Sequence, residues 1–408
     1  MKYIKNNSFK GSIKLSFVDK EYGTMPYIPI LNWYEKPINA ERLIDALQSM
    51  VDIEPTLGGR IKKSIFGNFT VECIPNYGGI AFIQKEISDQ KIDITNLFNV
   101  TSPFENDFGL PLFSNEVINK DIPLIYCILV QGKNLWGLAL LVNHYIADGN
   151  IFYKILEYLS LEYNSKGALS AYKKLFTYDI KSSMEFIVWL IRKNGNFITK
   201  LRWLLLNRQQ DKQAKLSNSN MYCSLKCILK SSDLDFIKSK VKNSFSTNDA
   251  LLEIITPVPN QITGILMNLR NLNQSHIDIN YFGNAEWVVC TSPNNSEGKL
   301  THDAVRDAIV NLRLDTKIRD LIFEDVLFHN SWVKIQYIPN FGSECSRQYP
   351  FTFSNRHENL PYRGTLFFKT TPEKYFLAYT DIYSNIRQIE HKLRELGITE
   401  IEVTKNSS

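Results

Sequence analysis

Apolar positions along this chain recur with two periods, one helical and one alternating or continuous over strand length. Residues 38–50, INAERLIDALQSM, carry apolar side chains at helical spacing with Asn39 in place as an N-cap, and VDIEPTLGGRIKK follows as turn and strand. Between Leu124 and Val142 two apolar runs flank the turn-like cluster Gln131-Gly132-Lys133-Asn134, which predicts a buried hairpin and not a membrane span. Ile151, Ile155, Leu156 and Leu159 then mark one face of a helix over 151–161. Beyond Met221 the strand-like SLKCILK and ITGILMNL alternate with the helical DLDFIKSKV, and IRQIEHKLRELG closes as an amphipathic helix stopped by Gly397. The pattern is that of an α/β chain without internal repeats.

Length changes this picture by dividing it. A chain of 408 residues with 44% hydrophobic content exceeds what one core usually holds, so two domains are expected. The boundaries fall at 1–165 and 221–408, joined by a linker over 166–220. The formal charge of +5 is small for this size and does not call for nucleic acid. Six scattered cysteines differ from the dense spacing of a disulfide scaffold and suit a reducing compartment. Cys223 and Cys227 have no further ligand residue nearby, so no metal is implied. The N-terminus interleaves lysine with apolar residues and never builds a signal-peptide core, so a cytoplasmic protein is expected.

Charge is concentrated in the linker. Residues 171–215 hold ten Lys or Arg against three Asp or Glu, interleaved with Trp189, Trp203 and the Leu204–Leu206 run. Such a basic amphipathic stretch, centred on 184–208, either lies peripherally on an anionic membrane or packs as an interdomain crossover.

Candidate chemistry centres on LLVNHYIADGN, residues 140–150. A histidine at a strand end, followed by Asp148 and Gly149 at the start of a helix, has two readings. It is a satisfied structural ring, or it is a neutral imidazole that takes a proton from an alcohol or amine attacking a carbonyl. Sequences diagnostic of serine hydrolases, phosphate-binding loops, dinucleotide folds and His-Glu-x-x-His zinc enzymes are missing.

His144-x-x-x-Asp148-Gly149 resembles the HxxxDG signature of the chloramphenicol acetyltransferase-like superfamily, and further matches fall in the order of its BAHD acyltransferases. PTLGGR at 55–60 is similar to the family's PLAGR, STNDAL at 246–251 to a helix start in its second domain, and Asn268 to Ala285 to the stretch ending in YFGNA. The resemblance implies two chloramphenicol-acetyltransferase-like domains, each a mixed β-sheet flanked by helices, with the active site in a channel at their interface. It implies a monomer that uses acyl-CoA as cosubstrate and a small alcohol or amine as acceptor, with no permanently bound cofactor.

Roles carry over residue by residue. His144 would be the general base, Gly149 would permit the bend, and Asp148 would be structural, pairing with an arginine for which Arg270 is the candidate. Trp332, in HNSW similar to the family's TSW, is either an oxyanion donor or a core aromatic, with Asn330 in place of the threonine. Ser246 and Thr247 cap a helix or contact the coenzyme. Asn340-Phe341-Gly342-Ser343-Glu344 stands where the family has DFGWG, which makes Phe341 and Gly342 altered candidates for the coenzyme channel. Asn143, where condensation domains double the histidine, favours free acyl-CoA over a carrier-bound donor. A carrier-dependent transferase and a non-catalytic binding protein are the alternatives.

Overall fold

The computed structural model describes residues 1–23, 25, 27–86, 114–178, 185, 222–240, 246–256, 262–270, 277–291, 302–311, 326–350 and 364–405. The chain is mixed α/β and divides into two sheet-rich compact units. The first comprises 1–186, 268–285 and 335–354; the second comprises 187–267, 286–334 and 355–408. This grouping differs from the uninterrupted division read from the sequence, because two late segments, one ending in YFGNA and one holding Phe341, fold into the first unit. The linker stretch 184–208 lies, but for Glu185, outside the described residues.

In the first unit the chain runs through β1 (Lys2–Ile4), β2 (Gly11–Lys14), α1 (Phe17–Tyr22), β3 (Ile28–Tyr34) and α2 (Ala40–Ile53). It continues through β4 (Arg60–Lys63), β5 (Phe69–Cys73), β6 (Ile80–Glu86), β7 (Ile125–Gln131), β8 (Trp136–Val142) and α3 (Gly149–Asn164). Asn39 caps α2 by accepting from the Arg42 amide at 2.9 Å, and Leu43, Ala46, Leu47, Met50 and Val51 form its buried stripe. β7 and β8 form the expected hairpin, and both are apolar at nearly every position because both sheet faces are covered. The main sheet has the order β1-β6-β7-β8-β3, and β2-β5-β4 forms a smaller sheet. In PTLGGR, the fully buried Arg60 donates to the carbonyls of Gly58, Gly59 and Gly79 and pairs with Asp121 at 2.7 Å.

The second unit is built on β9 (Tyr222–Lys230), α4 (Ser231–Lys240), α5 (Thr247–Ile255), β10 (Ile262–Asn268), β11 (Glu286–Thr291), α6 (His302–Asn311) and β12 (Val326–Ser331). β13 (Arg347–Pro350) returns to the first unit and pairs antiparallel with β3, adding an edge that no local pattern announces. β14 (Gly364–Thr371), β15 (Lys374–Ile382), α7 (Tyr383–Glu395) and β16 (Ile401–Lys405) complete the second sheet, of order β11-β10-β12-β14-β15-β9-β16. Gly397 ends α7 with φ +81°, and the Ile398 amide closes on the Leu393 carbonyl at 3.0 Å. Among the described residues, no helix is long and apolar enough to cross a membrane.

Candidate active site

β8 ends at Val142, and the next residue shapes the turn. Asn143 is fully buried; its Nδ2 donates to the Ser114 carbonyl at 3.1 Å, and its Oδ1 accepts from the Tyr145 amide at 2.9 Å. This side-chain-to-backbone turn sets the chain direction and commits Asn143 to structure. The His144 amide donates to Ser114 Oγ at 2.8 Å. One turn later Asp148 caps α3, its Oδ1 accepting from the Ile151 amide at 3.1 Å, and Gly149 is the first helical residue. The His-x-x-x-Asp-Gly spacing is thus a strand end, a single turn and a helix start.

Asp148 has its second oxygen occupied as well. Its Oδ2 accepts from Arg270 Nη1 at 2.5 Å and from the Ala285 amide at 2.8 Å, and both charged side chains are fully excluded from solvent. Arg270 donates further to the Tyr281 and Gly283 carbonyls through Nη2 at 2.9 and 2.6 Å, to Tyr281 through Nε at 3.3 Å, and to Asn268 Oδ1 through Nη1 at 3.3 Å. A buried ion pair repays its desolvation only when the other donors and acceptors are met, and here they are. Asp148 therefore holds the turn against the 281–285 segment, with both carboxylate oxygens engaged in that frame.

Asp19 and Asn284 were not singled out by the sequence reading, yet they complete the frame. Asn284 donates through its amide and Nδ2 to Asp19 Oδ1, at 2.7 and 3.1 Å, and through Nδ2 to the His144 carbonyl at 2.6 Å. Asp19 Oδ2 accepts from the amide and hydroxyl of Ser16 at 2.8 and 2.7 Å, closing a capping box at the start of α1. Burial pushes the Asp19 carboxyl up, and its hydrogen bonds to Asn284 and Ser16 oppose that shift. Gly283, at φ +115°, allows the approach, since a Cβ there would stand 2.6 Å from Asp19 Oδ1. The Ser16-x-x-Asp19 spacing could have revealed the short helix; nothing local could have revealed its partner. Asn284→Ala leaves the His144 carbonyl and Asp19 Oδ1 short of donors, so urea denaturation is expected to show a loss of about 1–3 kcal/mol.

The His144 ring is partly exposed and stacks on Tyr22 of α1, with centroids 5.5 Å apart and planes at 30°. Its Nδ1 is buried without a hydrogen-bond partner. Desolvation pushes its pKa down to about 4, against opposing contributions from Asn284, Asp148 and the Ala147 backbone. The imidazole is therefore neutral at pH 7.

The other candidates separate. Phe341 belongs to the first unit, fully buried edge-on to Tyr34 and Tyr163 at centroid distances of 5.9 and 5.2 Å. It is a core ring, which corrects its reading as a coenzyme contact. Gly342, at φ +82°, donates its amide to Asn164 Oδ1 at 3.3 Å, so this turn is stapled to the end of α3. Trp332, Asn330, Ser246 and Thr247 lie in the second unit. Trp332 is partly buried and donates its amide to the Phe367 carbonyl at 2.8 Å, Asn330 is half-buried on β12, and Thr247 opens α5. Ser246 Oγ accepts from the Asp249 amide at 3.2 Å and so caps α5.

No protein-family model matches the sequence, and no curated protein matches it. Solved structures do. Vinorine synthase superposes with a TM-score of 0.65 at 12% identity, over 98% of this chain and 97% of its own. TRI101 of F. graminearum, in complex with coenzyme A and deoxynivalenol, gives 0.67 at 12%, over 97% and 100%. The chain shares the fold of these two proteins. The epimerization domain from the third module of tyrocidine synthetase B has it too, at 0.58 and 11% identity over 97% and 98%. All three align along nearly the whole chain, so the mixed α/β architecture expected from the resemblance is the observed one.

Proposed function

We propose that this protein is a BAHD-type acyltransferase that moves an acyl group from coenzyme A to a small alcohol or amine, with His144 as general base. The observation that carries this reading is His144 itself, a neutral, partly exposed imidazole whose main chain is held by Ser114 and Asn284. As the acceptor oxygen or nitrogen attacks the thioester carbonyl, the imidazole takes its proton. Collapse of the tetrahedral intermediate breaks the carbon–sulfur bond, and the imidazolium returns the proton to the departing thiolate. The products are an ester or amide and free thiol.

The fold supports this class of reaction, since TRI101 holds coenzyme A in its crystal structures. It also supports a second reading, a donor carried on a protein, because the condensation domain of the Monacolin K polyketide synthase MokA superposes with a TM-score of 0.57. Thermal melting of the full-length protein with acetyl-, malonyl-, aromatic and long-chain acyl-CoA separates them. A thioester at 100 times its dissociation constant stabilises its receptor by about 2.7 kcal/mol. A selective shift supports the coenzyme donor. No shift with any of them, together with transfer from an acylated carrier, would replace it.

The depressed pKa has a kinetic signature. The base works unprotonated, so kcat/KM is expected to stay level from neutral pH down to about 5 and to fall only as pH approaches 4, where the desolvated ring protonates. An acid limb centred near the ordinary histidine value of about 6.5 would contradict the desolvated site.

A further inference from the structure

The small sheet β2-β5-β4 carries a feature that acyl transfer leaves unused. Its β4–β5 hairpin turns through Ser64-Ile65-Phe66-Gly67-Asn68. The turn is well defined: the Ser64 amide donates to the Asn68 carbonyl at 2.8 Å, the Gly67 amide to the Ser64 carbonyl at 3.0 Å, and Gly67 sits at φ +77°. This is the three-residue hairpin with a left-handed third residue, whose tip positions ordinarily hold polar residues. Here they hold Ile65 and Phe66, 94% and 85% exposed. Single exposed apolar residues need no explanation, but two adjacent ones at the tip of a hydrogen-bonded turn do.

The residues behind the tip are basic. Lys14 and Lys62 both stand opposite Thr70 on the flanking strands and so share one face of the sheet. Lys63 and Lys20 bring their ammonium groups over the Phe69 ring, at 5.3 and 5.8 Å from its centroid. None of the four forms an ion pair with a carboxylate among the described residues. Lysines thus ring the hairpin on both faces. Lys63 lies two residues from Ile65, about 7 Å at the rise of a strand. An interfacial element buries its apolar part about 5–10 Å into the headgroup boundary, so a tip inserted to that depth leaves the lysines among the lipid phosphates.

We propose that the Ile65–Phe66 hairpin is a tip-first docking element for an anionic lipid bilayer. The base of this hairpin also reaches the candidate site, since Phe69 stacks on Tyr145, the residue after His144, with centroids 5.6 Å apart. Docking here does not depend on the acyl-transfer reading, and it is separate from the 184–208 stretch. Flotation of the full-length protein with vesicles of phosphatidylcholine, alone and mixed with phosphatidylserine, tests it. The wild type is expected to float with the phosphatidylserine vesicles and to be released by salt. Ile65→Ser/Phe66→Ser should lower partitioning by about tenfold or more, and Lys62→Glu/Lys63→Glu should abolish the preference for phosphatidylserine. All these positions are at the surface, so an unchanged melting curve certifies folding. Failure of the wild type to float, equal floating of the tip variant, or equal binding to phosphatidylcholine alone overturns the proposal. A wild type that ignores vesicles but self-associates through the tip assigns it to a second copy instead.

Discussion

His144→Ala is expected to reduce acyl transfer by about 10²- to 10⁴-fold, the usual contribution of a positioned general base, while the protein melts as the wild type does. The separation of these effects follows from the contacts. What His144 contributes to the turn is its main chain, through the amide to Ser114 and the carbonyl to Asn284, and alanine keeps both. What the ring contributes to stability is the Tyr22 stack, about 0.5–1.5 kcal/mol, offset by relief of a buried nitrogen that has no partner. Steady-state kinetics and a thermal melt on the same preparation decide it. Full turnover would remove His144 from the chemistry, and a collapsed melt would show that its ring was structural.

Asp148→Ala is expected to act in the opposite order, destabilising first and inactivating as a consequence. Removing the carboxylate leaves the fully buried Arg270 guanidinium without its counter-charge, a loss of about 3–5 kcal/mol. It also strips the acceptors from the Ala285 and Ile151 amides, loosening both the 281–285 segment and the start of α3. The His144 carbonyl is held by Asn284, next to Ala285, so the turn carrying the ring drifts with that segment. Asp148→Asn, which keeps the cap but not the charge, should fall between wild type and alanine. Asp148→Ala/Arg270→Met should recover part of the loss, because no unpaired charge then remains. Equal urea midpoints for wild type and Asp148→Ala would show that the pair contributes nothing net.

Much of the first unit could be read directly from the chain. α2 with its Asn39 cap, the β7–β8 hairpin and α3 all follow from apolar spacing and cap chemistry within a dozen residues. So does the placement of His144 at a strand end ahead of a helix capped by Asp148, because a cap is local. The resemblance supplied Arg270 as a partner, and the structure places it against Asp148 across 122 residues of sequence.

What stayed hidden depends on the path of the chain. Asp19 meets Asn284 across 265 residues, and no periodicity in SFVDKEYG or YFGNA records the meeting. The return of 268–285 and 335–354 to the first unit, and with it the conversion of Phe341 from coenzyme candidate to core ring, is likewise a long-range event. Exposure of Ile65 and Phe66 was equally unreadable, since apolar residues look alike in sequence whether a neighbour covers them or water does. The sequence by itself determined most of the elements, their caps and the placement of His144 at a strand end, because these depend on backbone preference and hydrophobic period. Tertiary structure alone decided which distant groups close the frame around His144 and which apolar side chains are left uncovered. Desolvation and hydrogen bonding depend on spatial neighbours, and those neighbours are set by the whole chain's path.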